Sequence, residues 1–241
     1  MGEKKNIFKF QQFEIEQSEN VWKIGTDGVL LAAITDPVNS KRILDIGTGC
    51  GLISLMLAQK TTAIIDAIDI NPDAVELAKK NVLKSKWKDK INIFHSSLQD
   101  FDNNTKYDLI ITNPPYFTNG EASPIKSRAI ARHNLELKMD ILAEKANELL
   151  SDDGLLVLIY PNIEMEKFIQ LAETKKLSIR KKIFVIPKIG YDSKRIIGFF
   201  AKSPNFKIDI QNITIEKENR HDYTDEFIKL TKDYYYRENK H

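Results

Sequence analysis

Arg42-Ile43-Leu44-Asp45-Ile46-Gly47-Thr48-Gly49-Cys50-Gly51 decides the fold. Its first five residues read as a core strand, and Leu52 to Gln59 as the start of an amphipathic helix. A strand, a glycine-rich turn and a helix N-terminus together let backbone approach a nucleotide-like ligand closely. The spacing is Asp-x-Gly-x-Gly-x-Gly, whereas the dinucleotide fingerprint places its third glycine one position later. Asp45 at the strand end would also repel a pyrophosphate. It suits a ligand carrying positive charge or an amino group. S-adenosylmethionine has both, a sulfonium and an α-ammonium, and its carboxylate can meet backbone N–H groups.

Outward from this stretch, strands and helices alternate. Ala63 to Asp69 reads as a second strand with Asp69 at its carboxyl end, 18 positions beyond Gly51. That is near the spacing at which an acid reaches a ribose hydroxyl pair. Asn71-Pro72 opens a helix that runs to about Lys84. Ile91 to His95 is a third strand, and Ser97-Leu98 after it is placed to meet an adenine edge. Upstream, Ile7 to Glu16 suggests a short hairpin. Lys23-Ile24-Gly25-Thr26-Asp27-Gly28 precedes an apolar helical run, with Thr26 or Asp27 expected to cap it or to close over a cofactor.

The fourth strand, Tyr107 to Thr112, stops at Asn113-Pro114-Pro115-Tyr116. Open α/β sheets bind ligands at such carboxyl ends. Two prolines make the turn stiff and remove two donors, leaving carbonyls outward as acceptors. Asn113 adds another acceptor, and Tyr116 a flat face on which a base can stack. Acceptors beside an aromatic platform suit a planar group bearing NH2, such as adenine N6. An ordinary proline-rich turn fits the same four residues.

Downstream, Met139 to Leu150 reads as a helix ending near Asp152-Asp153-Gly154, and Leu155 to Tyr160 as a buried strand. Lys181 to Pro187 and Arg195 to Lys202 read as a closing strand pair. Phe206 to Ile215 reads as an added edge strand, and Phe227 to Tyr236 as a final helix. Gly120 to Lys138 is a long connector, whose Arg128, Arg132 and neighbouring His133 suit phosphate contacts.

At 241 residues, with 42% apolar residues, the chain suits a globular core. No apolar run approaches the ~18 residues of a membrane span. The N-terminus lacks a signal peptide's apolar region. The one cysteine, Cys50, fits a reducing cytoplasm, and the four histidines show no metal-ligand spacing, so no metal is expected. The net charge of +2 does not announce a polyanion partner. Between Lys175 and Lys202, however, nine bases face one acid, Asp192. This stretch, through Lys181 and Lys182, is the expected RNA face, although such runs also make ordinary solvated surfaces.

Asp45-Ile-Gly47-Thr-Gly49-Cys-Gly51, Asp69 and Asn113-Pro114-Pro115-Tyr116, in this order, resemble the class I S-adenosylmethionine-dependent methyltransferases that methylate amino groups. Lys23 to Gly28, Ala131-Arg132-His133 and Tyr223 to Phe227 narrow the resemblance to the bacterial tRNA(Val) adenine-N6 methyltransferase family, which modifies adenine 37, beside the anticodon. The resemblance implies an α/β, Rossmann-like fold: a seven-stranded, mostly parallel sheet with an antiparallel last strand and helices on both faces. It assigns Asp45, Gly47, Gly49 and Gly51 to the methionine part of the cofactor, Asp69 to its ribose and Asn113 to Tyr116 to the target base. Such enzymes often carry Asp after the third strand for the cofactor's adenine. The matching position here is Ser97, and Asp100 would stand in only if the loop is longer than its sequence suggests. One methyltransferase domain is expected, with residues 1–40 as hairpin and closing segment, 41–202 as core and 203–241 as a final strand and helix. A monomer or weak homodimer acting on tRNA follows. Glutamine N5 methylation of protein is an alternative, although those enzymes usually carry more than the 44 residues preceding Asp45. DNA adenine methylation, which ordinarily needs a recognition domain, and a non-catalytic RNA-binding module are others.

Overall fold

The structure, a computed structural model, describes residues 6–21, 23–101, 104–115, 138–202 and 207–236. Strands β3 (Arg42–Ile46), β4 (Ile64–Asp69), β5 (Ile91–His95), β6 (Tyr107–Thr112), β7 (Leu150–Pro161), β8 (Ser178–Lys188), β9 (Arg195–Ala201) and β10 (Asp209–Glu216) form the main sheet, in the order β10-β8-β9-β7-β6-β3-β4-β5. Only β9 is antiparallel to its neighbours, slotted between β7 and β8. The expected seven strands are β3 to β9, and β10 extends the sheet by an eighth, parallel to β8.

Because side chains alternate along a strand, the inner strands feed two cores. Ile43 of β3 enters one with Ile65, Leu109 and Val157. Leu44 and Ile46 enter the other with Ile110, Leu156 and Leu158. Helices α1 (Thr26–Ile34), α2 (Leu52–Ala58), α3 (Pro72–Leu83) and α6 (Asp225–Thr231) contribute to the first core. Helices α4 (Met139–Leu149) and α5 (Asn162–Thr174) contribute to the second. The whole of α2 is buried, which explains its nearly continuous apolar sequence. Among the described residues, no helix is long and apolar enough to cross a membrane.

The expected hairpin is β1 (Asn6–Lys9) paired with β2 (Glu14–Gln17). Asn81 of α3 holds it: its Oδ1 accepts from Glu16 N at 2.9 Å, and its Nδ2 donates to Glu16 O at 3.1 Å and Cys50 O at 2.9 Å. Lys80 and Lys84 pair with the Glu16 carboxylate, and Lys86 bonds Gln12. Of the four lysines around Trp87, at 84, 86, 88 and 90, two are thereby engaged with the hairpin. The other end of the chain meets the hairpin too. Gln11 Nε2 donates to Lys232 O and Tyr235 O, both at 2.7 Å, and the Tyr235 ring stacks on Phe10. Tyr234 is buried and donates to Met56 O.

Three local expectations are corrected. The N-cap of α1 is Gly25, without a side-chain cap, so neither Thr26 nor Asp27 caps the helix. The last helix ends at Thr231, short of the tyrosines. Asp152-Asp153-Gly154 does not separate the helix from a strand starting at Leu155, because α4 ends at Leu149 and β7 begins at Leu150 and runs through the three residues, with a register shift opposite Tyr107/Leu109. A Cβ on Gly154 would lie 2.7 Å from Tyr107 O, so glycine there marks close backbone approach inside a strand.

Candidate active site

Three adjacent strand ends build the site. β3 runs between β4 and β6, so the turn after Ile46 has Asp69 on one side and Asn113 on the other. At roughly 4.8 Å per strand, Asp69 and Asn113 stand about 10 Å apart across that turn. Thr112 Oγ1 donates to Ile46 O at 2.8 Å and ties the end of β6 to β3.

The glycine turn is pinned from both sides. Gly47 N and Thr48 N donate to Ile68 O at 2.9 and 3.0 Å. Asp69 Oδ2 accepts from Gly49 N at 2.8 Å, and its Oδ1 from Asn71 N at 2.9 Å. Burial raises the Asp69 carboxyl above its ordinary range, and the backbone N–H groups of Asn71, Gly49 and Ile70 work against that rise. Gly47 and Gly49 have φ of +70° and +58°, and nothing lies within 4 Å of where a Cβ would sit on either. The turn therefore offers bare backbone to open space.

Asp45 lies beneath the turn, fully buried. Its Oδ2 accepts from Thr48 Oγ1 at 2.7 Å and Ser54 Oγ at 2.6 Å. Its Oδ1 is buried with no hydrogen-bond partner among the described residues. Burial pushes the carboxyl up to about 6, against the lowering effect of the Ser54 and Thr48 hydroxyls. One face of Asp45 thus braces the turn and the other is an unsatisfied acceptor, suited to a donor or cation. Neighbouring Cys50 is buried, and burial lifts its thiol to about 11, which leaves it a thiol near neutrality.

The Ser96-Ser97-Leu98 segment is joined to the site through Ser96 N, which donates to Asp69 O at 3.1 Å. Ser97 Oγ donates to Asp100 Oδ2 at 2.6 Å and accepts from Asp100 N at 3.1 Å. The loop therefore folds a carboxylate back onto the position where the family's Asp is missing. The Leu98 side chain is buried in the second core.

The start of α1 reaches the site through Gly28. A Cβ there would lie 3.2 Å from Leu52 Cδ2 and 3.7 Å from Asn113 Nδ2. Asp27 Oδ2 accepts from Arg195 Nε at 3.1 Å, which ties α1 to β9. Lys23 and Thr26 are exposed beside it. Pro114 is buried and Pro115 exposed. Tyr116, Arg128, Arg132 and His133 lie outside the described residues. Lys181 and Lys182 are mid-strand in β8, where Lys181 sits 3.7 Å from Asp209 and Lys182 3.0 Å from Glu166. They are not gathered with the other candidates.

Sequence reasoning missed Thr48, Ser54, Gly28 and Arg195. Ser54 left a signal, as a hydroxyl inside the apolar run Leu52 to Ala58. Arg195 left none, because its partner Asp27 is 168 positions away. Among the described residues, no group of three or more His, Cys, Asp or Glu side chains is placed to hold a metal.

Residues 18–184 match the family model of the methyltransferase small domain. The tRNA1(Val) (adenine(37)-N6)-methyltransferase of Phocaeicola vulgatus is 43% identical to this chain over 228 residues, covering 95% of the chain and 97% of that protein. The protein of the same name from Parabacteroides distasonis is 39% identical over 230 residues, with the same coverage. Among solved structures, a predicted O-methyltransferase of Agrobacterium tumefaciens superposes with a TM-score of 0.65 at 16% identity, over 86% of this chain and 96% of that one, a likeness of fold. The chain belongs to the methyltransferase small-domain family of class I S-adenosylmethionine-dependent methyltransferases, and to the branch whose members are named tRNA1(Val) (adenine(37)-N6)-methyltransferases.

Proposed function

We propose that this protein methylates the exocyclic N6 amino group of adenine 37 in a valine tRNA. The observation that carries the reading is the placement of Asn113-Pro114-Pro115 on the same sheet edge as the open glycine turn, one strand away. The Asn-Pro-Pro turn is chemically suited to a planar NH2 group, and the relatives named above bear this activity in their names.

The residues fit S-adenosylmethionine on two observations, the unsatisfied Asp45 Oδ1 and the bare turn at Gly47 and Gly49. Asp45 and the glycine turn would hold its methionine part, Asp69 its ribose, and Ser97 with Asp100 and the Leu98 backbone its adenine. Lys23, Thr26 and Asp27 belong to the segment that closes over it. When bound, the cofactor supplies an electrophilic methyl group on a sulfonium.

The chain's own part is to present the amine. A base in a stacked loop cannot reach a buried donor, so adenine is extruded. Loop bases splay readily, which keeps extrusion inexpensive. The Asn113 side-chain oxygen and the carbonyl of Pro114 accept the two N6 hydrogens. They draw the nitrogen toward tetrahedral geometry and stabilise the positive charge that develops on it. Tyr116 is the platform for the ring. The nitrogen's surplus proton leaves to solvent, and no covalent nucleophile is needed.

We read the chain as one catalytic unit, a monomer or weak homodimer acting in the cytoplasm; sedimentation of the purified protein tests the assembly. The activity is tested by incubating it with methyl-labelled S-adenosylmethionine and, separately, unmodified tRNA, ribosomal RNA, duplex DNA and release-factor protein. Label in N6-methyladenosine from tRNA alone supports the reading, and mapping by nuclease digestion should place it at position 37. Label in glutamine or DNA would overturn it. So would no label in unmodified valine tRNA while the cofactor binds.

A further inference from the structure

The carboxyl edge of the sheet is not level. Thr112 of β6 pairs with Leu158 of β7, and Leu158 with Gly198 of β9, which in turn faces Lys182 of β8. From that row β8 continues six residues to Lys188, and Arg195 stands three residues above Gly198. At about 3.3 Å per residue, Arg195 stands about 10 Å and Lys188 about 20 Å beyond the row of Thr112. The β8–β9 hairpin is therefore a wall beyond β7, with its nearer strand two places from β6 and Asn113, on the side away from Asp69.

The wall is held firmly. Asn162 Nδ2, at the start of α5, donates to Ser193 O at 2.9 Å and Ser193 Oγ at 3.0 Å. Ile189 N donates to Glu216 O at 3.0 Å, which joins the tip to β10. The Arg195–Asp27 pair ties its base to α1.

Its tip, Lys188-Ile189-Gly190-Tyr191-Asp192-Ser193-Lys194, turns at Gly190, with φ of +82°. Tyr191 is 58% exposed, with Lys188 Nζ 5.8 Å from its ring centre. No ion pair to Lys188 or Lys194 is present among the described residues. Asp192 is the one acid of the turn, and the carboxylate of nearby Glu216 is engaged by His221 N. Below the tip lies a groove of about 250 Å³ lined by Asp27, Val185, Pro187, Lys194, Arg195 and Ile215. That is below the ~300–1,000 Å³ typical of sites that enclose a whole small ligand, and suits a single base or phosphate.

An exposed, anchored aromatic between two lysines that form no ion pair among the described residues matches what single-stranded RNA presents, a base to stack on and phosphates to neutralise. We propose that the tip of the β8–β9 hairpin docks the anticodon arm of the substrate, with Tyr191 stacking a base and Lys188 and Lys194 holding phosphates, while an adenine several nucleotides away enters the clamp at Asn113. The proposal rests on the tRNA reading above and specifies where the RNA sits.

The test uses the full chain, S-adenosylmethionine and unmodified valine tRNA. Variants Tyr191→Ala and Lys188→Ala/Lys194→Ala are assayed for tRNA affinity against salt, for KM and kcat, and for cofactor affinity as a check on folding. Tyr191→Ala should weaken tRNA binding about 5- to 100-fold, with cofactor affinity unchanged. The double lysine variant should flatten the salt slope by about one to two. Wild-type tRNA affinity and salt slope in both variants, with wild-type protein still methylating tRNA, would overturn the docking surface alone. Loss of tRNA affinity in Lys181→Ala/Lys182→Ala, with the tip variants normal, would overturn it in favour of the middle of the sheet. No methylation of tRNA by the wild type would instead overturn the function beneath it.

Discussion

Replacing Asp45 with Asn should alter how stability depends on pH more than stability itself. The folded carboxyl titrates at about 6, against an ordinary value of 3.8, because it is fully buried. The gap corresponds to about 3 kcal/mol, and full burial leaves little solvent to screen it. Below pH 3.8 the carboxyl is neutral in both folded and unfolded chains and imposes no penalty. Between 3.8 and about 6 the unfolded chain gives up the proton first, so rising pH favours unfolding. Above about 6 both forms are charged and the penalty is constant. Asn keeps an oxygen for the Thr48 and Ser54 hydroxyls and loses the charge, but places an NH2 where Oδ1 has no partner, at about 1–3 kcal/mol. At pH 7.5 the two effects should nearly cancel or leave the variant up to about 2 kcal/mol more stable. The assay is urea unfolding, followed by the fluorescence of the two tryptophans, from pH 4 to 8. Wild type minus D45N should fall by about 2 to 3 kcal/mol across that range, most of it below pH 6, and the subtraction cancels the other carboxylates. In the same series, affinity for S-adenosylmethionine should rise with pH through 6 in the wild type and stay low and flat in D45N. Parallel stability profiles, or unchanged cofactor affinity in D45N, would refute the account of Asp45 as a buried, half-satisfied carboxylate beneath the cofactor turn.

Asn113→Ala should leave cofactor affinity near normal and lower kcat about 10²- to 10³-fold, the usual loss on removing one transition-state hydrogen bond; calorimetry and single-turnover methylation separate the two. Gly28→Ala should shift stability by under about 1 kcal/mol, since better helix propensity offsets the 3.2 Å contact with Leu52, and should leave kcat near wild type, because the added Cβ would sit 3.7 Å from Asn113 Nδ2, an ordinary van der Waals distance; a large loss of kcat would show that the Asn113 amide has no room to spare. Gly154→Ala should destabilise by about 2 kcal/mol or more, because its Cβ meets the Tyr107 carbonyl at 2.7 Å, backbone that cannot rotate away; the urea midpoint at unchanged slope measures it.

Much of the architecture was legible because it is local. Ile43, Leu44 and Ile46 declare a strand buried on both faces, and Asn71-Pro72 declares a helix start, whose Asn71 Oδ1 does accept from Asp73 N at 3.0 Å. The Asp-Asp-Gly misreading has the converse cause. Those residues favour a turn in isolation, and their strand conformation depends on β6 lying alongside. Thr26 and Asp27 have capping chemistry, but the helix begins one residue too early for Thr26 and two too early for Asp27 to use it.

The sequence by itself determined the order of strands and helices, the glycine turn after β3 and the proline-stiffened turn after β6, since each depends on residues within a few positions. Tertiary structure alone decided that Asp45 spends one oxygen on Thr48 and Ser54 and leaves the other unsatisfied. It also decided that Asp100 folds back to Ser97, that Arg195 pairs with Asp27, and that Lys188 and Lys194 rise beyond the carboxyl edge of the sheet while Lys181 and Lys182 are engaged by acids below. Charge and hydrogen-bonding capacity are written in the sequence, but the partner of each group depends on which strands lie side by side, and that is set by packing over distances the local pattern does not record.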